Sequence, residues 1–355
     1  SGPNNRGVYL LGGGTVSSTG TASDAATVTI NGTGGNGTSD NYGVFLNGAG
    51  SNVTTKYGNV VINGTGAGST SNNHGVYLAL DADVLSTGPA NISLTATAGA
   101  GAGSMDMFSN GATITIGGGT ATGNVLLSLL THSLSDFALQ TSGNVTLQPR
   151  DASATVGVAG GAGALDIGTG LLDAITAGGT LTIGRADGDG AMTVNPYATW
   201  ATRAGTGIRF LSNDGAITLA AGAHSFGARN LTIETDADPT VTGTVTGTGT
   251  LTLMPSSATQ TMGIAGGAGT LNISNADLTN LGTGWSGVNL GRTDGTGLLT
   301  QGAFTWFAPT VWRAAAAGAG VLVSAAQSTS AASNATFTFG APLNLSANLD
   351  TSAAT

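Results

Sequence analysis

The sequence predicts an all-β protein built as a right-handed parallel β-helix, an elongated β-solenoid. Three observations lead there: short phrases recur at fixed spacings, apolar residues sit two apart within each phrase, and the composition starves helices of their usual residues.

The recurrence comes first. Asn5-Arg6-Gly7-Val8-Tyr9-Leu10 returns as Asn41-Tyr42-Gly43-Val44-Phe45-Leu46 and as Asn73-His74-Gly75-Val76-Tyr77-Leu78. Between these copies lie Val28-Thr29-Ile30-Asn31-Gly32-Thr33-Gly34 and Val60-Val61-Ile62-Asn63-Gly64-Thr65-Gly66, with weaker third strands expected around Val16, Val53 and Val84. Each unit of about 32 residues therefore offers three short strands and one polar excursion, 31–42 or 63–74. Within a strand the pairs Val8/Leu10, Val28/Ile30, Val44/Leu46 and Val60/Ile62 point to one side, because strand side chains alternate faces. No such unit buries its apolar side alone; coils stacked about 4.8 Å apart share one core. Asn31 and Asn63 read as turn or ladder residues, since Asn and Gly supply the left-handed backbone of a sharp corner.

A second, longer repeat follows. Gly157-Val158-Ala159-Gly160-Gly161-Ala162-Gly163-Ala164-Leu165 returns as Gly263-Ile264-Ala265-Gly266-Gly267-Ala268-Gly269-Thr270-Leu271. Leu147-Gln148-Pro149, Gly184-Arg185-Ala186-Asp187-Gly188 and Thr199-Trp200 match Leu253-Met254-Pro255, Gly291-Arg292-Thr293-Asp294-Gly295 and Thr305-Trp306. The shift is about 106 residues, room for four or five coils of roughly 20 to 25 residues. The expected organisation is one continuous solenoid: 1–110 with the short repeats, 111–250 as the first long block, 251–355 as the second. The first and last residues read as cuts through a repeating pattern, with no capping change over 344–355. Parallel stacking is expected because two-residue hairpins are not evident, and right-handedness because parallel crossovers nearly always take that hand. A chain of about 13 to 17 coils would span roughly 60 to 80 Å.

Composition narrows the function classes. Charged residues are 8% of the chain, against about 25% in ordinary soluble domains. Lys56 is the only lysine and Glu234 the only glutamate, so helix builders are scarce while Thr, Val and Ile abound. Gly accounts for 61 residues without a three-residue period and there are only 8 Pro, which excludes collagen. A net charge of -9 with no basic cluster argues against nucleic acid as partner. The absence of cysteine removes disulfides and thiolate zinc sites, and no apolar run has the length of a membrane span.

Candidate chemistry is sparse. Arg185 precedes the acidic run Asp187-Gly188-Asp189-Gly190, and Arg292 precedes Asp294-Gly295-Thr296-Gly297. Arg185/Asp187 and Arg292/Asp294 fit an Asp-stabilised turn with an Arg partner; a calcium site is the competing reading. His74 occupies the place of Arg6 and Tyr42 in the sister phrases, a position expected to accept any bulky polar group. Tyr9, Phe45 and Tyr77 fall on the outer side of one face, stacked coil above coil. They could grip a sugar or protein, or stabilise the stack beneath the polar excursion. Trp200, Trp306 and Trp312 repeat at block spacing, which points to packing. No catalytic residue, metal or cofactor is expected.

The N-x-G-V-[YF]-L and V-x-I-N-G-T-G phrases, with the G-[VI]-A-G-G-A-G-x-L and G-R-x-D-G blocks, resemble large bacterial exoproteins of the filamentous haemagglutinin type and autotransporter passengers. The resemblance implies an extracellular or cell-surface right-handed β-helix acting as an adhesin. Its expected partners are a host or neighbouring-cell surface, a glycan or matrix. Alternatives are a subunit that self-associates end to end into a filament, and a polysaccharide-binding or polysaccharide-degrading β-helix. This segment is not expected to insert into a membrane.

Overall fold

The computed structural model describes residues 2–282, 284–315, 318–330, 337–340 and 342–350. Of the closing stretch expected to lack a cap, 351–355 lies outside the described residues. The protein is a parallel β-helix: among the described residues the strands pair in parallel, most with the equivalent strand of the next coil, while Met262–Ile264 also pairs with Leu271–Ile273 nine residues on. Contacts divide the chain into two compact units, Ser1–Asp151 with Ala164–Leu181, and Ala152–Gly163 with Thr182–Thr355.

In the first unit each coil lays one strand on each of three faces. The first face carries Val8–Leu11, Val44–Asn47, Val76–Ala79, Met107–Asn110 and His132–Leu134. The second carries Val16–Ser18, Val53–Thr55, Val84–Ser86, Ile114–Gly117, Phe137–Thr141 and Ile175–Ala177. On the third lie Val28–Thr33, Val60–Thr65, Ile92–Thr97, Val125–Leu129 and Val145–Pro149. The pairs two apart point inward as the alternation requires: Val44, Leu46, Val60, Ile62, Val76 and Leu78 are all fully buried. Each such side chain contributes roughly 1.5–3 kcal/mol on burial, and the core is continuous because equivalent residues sit above one another.

The polar excursion starts later than the sequence suggests. Asn31, Gly32 and Thr33 pair with Asn63, Gly64 and Thr65, so the strand runs three residues further before the chain leaves the face. The excursions are themselves stacked, through parallel bridges linking Ser39 to Ser71 and Ser71 to Ala102. Equivalent residues on the third face lie 32, 33 and then 20 positions apart. After Leu129 the chain turns directly into His132–Leu134, so the two repeat lengths are one coil with and without the excursion. The glycine of the N-x-G phrase follows from this geometry. A Cβ on Gly43 would lie 2.2 Å from Thr65 N and 2.6 Å from Gly75 O, where neighbouring backbones converge. In the coil after Gly75, Asp106 takes that place, and its carboxylate accepts from Ala98 N, Leu130 N and the Arg150 guanidinium at 2.6, 2.5 and 2.8 Å.

The second unit continues the same principle with larger side chains inside. Gly207–Leu211, Asn230–Glu234, Thr250–Met254, Gly287–Gly291, Thr310–Arg313 and Phe337–Phe339 stack in order on one face. Opposing strands include Val156–Val158, Met192–Val194 and Ile217–Leu219, then Met262–Ile264, Leu299–Gln301 and Val321–Val323. The G-[VI]-A-G-G-A-G phrase is a strand end that doubles back. Ala159 and Ala265 take the left-handed conformation at φ 55° and 54°. A Cβ on Gly161 or Gly267 would lie 2.2 or 2.0 Å from the carbonyl of Thr193 or Thr300 in the next coil. Trp200 opens a short helix, Trp200–Arg203, whereas Trp306 ends the strand Phe304–Trp306; both are fully buried, as is Trp312. The matched Thr-Trp dipeptides therefore fill the core from different local structures. Gln301 Oε1 accepts from Trp312 Nε1 and Gln327 Oε1 from Trp306 Nε1, both at 3.0 Å, so these two buried indoles are satisfied, whereas Trp200 Nε1 is buried without a hydrogen-bond partner among the described residues.

Candidate functional site

The densest constellation of functional side chains lies on the first face of the first unit. Tyr9 and Phe45 stack with centroids 5.0 Å apart and planes 2° apart; Phe45 and Tyr77 follow at 4.5 Å and 21°. A second column lies over them, formed by the residues that end each excursion. Tyr42 stacks on His74 at 5.4 Å, and meets Phe45 and Tyr77 edge-on at 5.1 Å each. The Arg6 guanidinium caps the assembly 4.5 Å from the Tyr9 ring and 5.0 Å from that of Phe45. Phe108 extends the column by stacking on His74 at 4.4 Å.

This second column covers the first. Phe45 is 6% exposed and Tyr77 half-buried; only Tyr9, at 40%, offers a substantial face to solvent. The position shared by Arg6, Tyr42 and His74 carries a bulky polar group in each coil. All three are flat: the Arg6 guanidinium lies over the Tyr9 ring, while the Tyr42 and His74 rings stack on each other and meet the first column edge-on. Hydroxyls are tied down as well: Tyr42 Oη donates to Asp40 Oδ1 at 3.0 Å and Tyr77 Oη to Asn110 Oδ1 at 2.9 Å. Burial lowers the His74 pKa from 6.5 to about 4, the main opposing influence being Met105 N–H donating to Nδ1 at 3.1 Å. His74 is neutral at physiological pH, and burial with the Asp40 contact drives the Tyr42 phenol upward.

Beside the rings runs a buried asparagine ladder. Asn73 Oδ1 accepts from both N and Nδ2 of Asn41 at 3.1 Å, and Asn41 Oδ1 accepts from Asn5 N and Nδ2 at 3.1 and 2.9 Å. Asn41 and Asn73 are fully buried. The ladder at Asn31 and Asn63 is exposed, with Asn63 Nδ2 donating to Asn31 Oδ1 at 2.8 Å. A further series precedes the last four third-face strands of the first unit: Asn59, Asn91, Asn124 and Asn144 each accept from the next coil's backbone N–H at 2.8–2.9 Å. Aligning the coils by register, rather than by phrase, places these asparagines in one column. That is the signal by which the sequence could have disclosed them.

Arg185 and Arg292 each grip the aspartate two residues on, through Nε and Nη2: to Asp187 at 2.5 and 3.0 Å, to Asp294 at 2.9 Å twice. Both close a turn in which the glycine N–H bonds the Arg carbonyl at 3.1 Å. The Arg hydrogen bond holds each carboxyl below the usual aspartate range. The remaining histidines are separate. His132 Nε2 donates to Asp166 O at 2.6 Å; His224, buried in the second unit, donates from Nε2 to Ala220 O at 2.8 Å. Among the described residues no helix is long and apolar enough to cross a membrane. No protein-family model matches the chain, and neither the curated proteins nor the solved structures contain a match to it.

Proposed function

We propose that this chain is a structural and adhesive segment of a large secreted or surface-displayed bacterial exoprotein. The observation that carries this reading is where the polar and aromatic side chains go. Asparagines, His74, Asp106 and the ring columns bond or stack onto the coil above or below, so they hold the stack instead of converging on a cleft. A stack secured in this way keeps its backbone amides paired against local opening. The resemblance of the repeat phrases to filamentous haemagglutinin-type exoproteins supports the reading of a surface outside the cell that holds a cell surface, glycan or matrix.

The test is adhesion. Beads coated with the purified chain should attach saturably to cultured cells or to matrix-coated glass, and soluble chain should compete. Attachment no greater than that of beads coated with an unrelated acidic β-protein would overturn the reading.

A further inference from the structure

The second unit carries a groove of about 460 Å³ lined by Arg209, Glu234, Met254, Gly291, Arg292 and Arg313. It gathers three of the chain's eight arginines around its only glutamate. Glu234 pairs with Met254 and Gly291 with Arg313, so the groove runs along the stacking direction. From the Gly207–Leu211 strand to Thr310–Arg313 that is four steps, about 19 Å. Gly291, at φ 82°, keeps its floor bare, since a Cβ there would lie 2.4 Å from Arg313 O.

The charges are unevenly committed. Arg209 gives Nε and Nη2 to the same oxygen, Glu234 Oε2, at 2.9 and 2.7 Å. Arg292 is held by Asp294 and donates Nη1 to Ser256 O at 2.6 Å and Pro255 O at 3.4 Å. Its Nη1 lies 3.7 Å from Glu234 Oε1, beyond hydrogen-bond reach. Oε1 of a side chain only 5% exposed thus keeps acceptor capacity, facing the groove. The Arg313 guanidinium has no hydrogen bond, ion pair or ring contact among the described residues, whereas the side chain of each other arginine and of Lys56 engages a carboxylate, an amide or carbonyl oxygen, a hydroxyl or a ring.

We propose that this groove binds a short stretch of a carboxylate-bearing polysaccharide, a uronate carboxylate pairing with the Arg313 guanidinium and a sugar hydroxyl donating to Glu234 Oε1. A guanidinium fork matches a carboxylate in shape and charge. Glu234 and Asp294 line the same groove, which disfavours the compact multiple charge of a phosphate and favours a ligand whose carboxylates are spread one to a sugar with neutral hydroxyl donors between them. Length favours an oligomer over a single sugar. A peptide strand would instead seek an open sheet edge, and this groove lies across paired strands. The site stands on its own geometry and goes beyond adhesion; it holds whether or not coated beads attach to cells.

Titration calorimetry of the full chain with trigalacturonate at physiological salt tests it. The intact protein should bind, the fully methyl-esterified trimer should not, and Arg313→Gln should weaken binding about 10- to 100-fold with an unchanged thermal melt. Arg313→Lys, which keeps the charge and loses the fork, should fall between. Absence of trigalacturonate binding, equal binding of the methyl ester, or full affinity in a folded Arg313→Gln protein would each overturn the proposal. Equal displacement of the trimer by inorganic sulfate at matching concentration would overturn the carboxylate assignment. Should Arg313→Gln fail to fold, the methyl-ester comparison decides alone.

Discussion

Replacing Asn73 by alanine should cost far more stability than replacing Asn63, although both belong to ladders with the same 32-residue step. Asn73 is fully buried; its Oδ1 holds Asn41 N and Nδ2, and its own Nδ2 donates to Ala100 O at 2.8 Å and Thr38 O at 3.4 Å. Asn73→Ala therefore strands two buried donors on Asn41 and at least one carbonyl. At about 1–3 kcal/mol for each orphaned buried group, the loss is about 3–5 kcal/mol once partial relaxation is allowed. Asn63→Ala removes one bond between exposed side chains, whose groups water can satisfy, and should cost no more than about 0.5–1 kcal/mol. Because a solenoid loses coils by nearest-neighbour steps, the assay is native-state hydrogen exchange resolved by peptide, alongside urea unfolding. The Asn41 and Asn5 amides should exchange at least about 100-fold faster in Asn73→Ala and nearly unchanged in Asn63→Ala. Equal costs for the two variants, or undiminished protection at Asn41, would refute the claim that the buried ladder holds these coils together.

Acid should loosen the same region. With the folded His74 pKa at about 4 against 6.5 unfolded, the unfolded chain binds the extra proton between those values. The contribution of neutral His74 is complete above about pH 6.5 and falls as pH drops toward 4, by about 3 kcal/mol at most. Urea unfolding across pH 4 to 7 should show that slope in the intact protein and lose most of it in His74→Phe, which keeps a ring in the stack. Glycine substitutions should divide by backbone clearance. Gly267→Ala, whose Cβ would meet Thr300 O at 2.0 Å, should cost about 2–3 kcal/mol. Gly170→Ala, in the helix Thr169–Asp173 with nothing within 4 Å, should be neutral or stabilising by about 0.5 kcal/mol in thermal unfolding.

The fold was legible because a parallel β-helix writes its register into the sequence. Val8/Leu10, Val28/Ile30 and the Val16, Val53 and Val84 strands follow from alternation and spacing alone, and all lie where expected. Ile92–Thr97 and Met107–Asn110 were harder: the first keeps the apolar alternation while losing the phrase, and the second places the polar Ser109 at one of its two inward positions. The second column on the first face was not legible. Arg6, Tyr42 and His74 share neither charge nor hydropathy, only planarity, and no composition-based reading weighs planarity. Phe108 escaped for the same reason as its strand. The Arg209–Glu234–Arg292 groove joins residues from strands whose order depends on coil lengths of 20 to 37 residues, so no single spacing brings them together. Glu234 being the chain's only glutamate was the one hint.

In-register stacking of successive coils underlies every functional statement above, and the lack of native cysteine makes it directly measurable. Thr29 is paired with Val61 on adjacent third-face strands, both pointing away from the buried alternation. Their Cα atoms should lie about 4.8 Å apart, within disulfide range, whereas Thr29 and Asn63 are diagonal neighbours at about 8 Å and outside it. Mild oxidation of the Thr29→Cys/Val61→Cys protein should therefore give an intramolecular disulfide in good yield, and the Thr29→Cys/Asn63→Cys protein should stay reduced. Cross-linking of the diagonal pair in preference to the direct one would contradict the register and the account built on it.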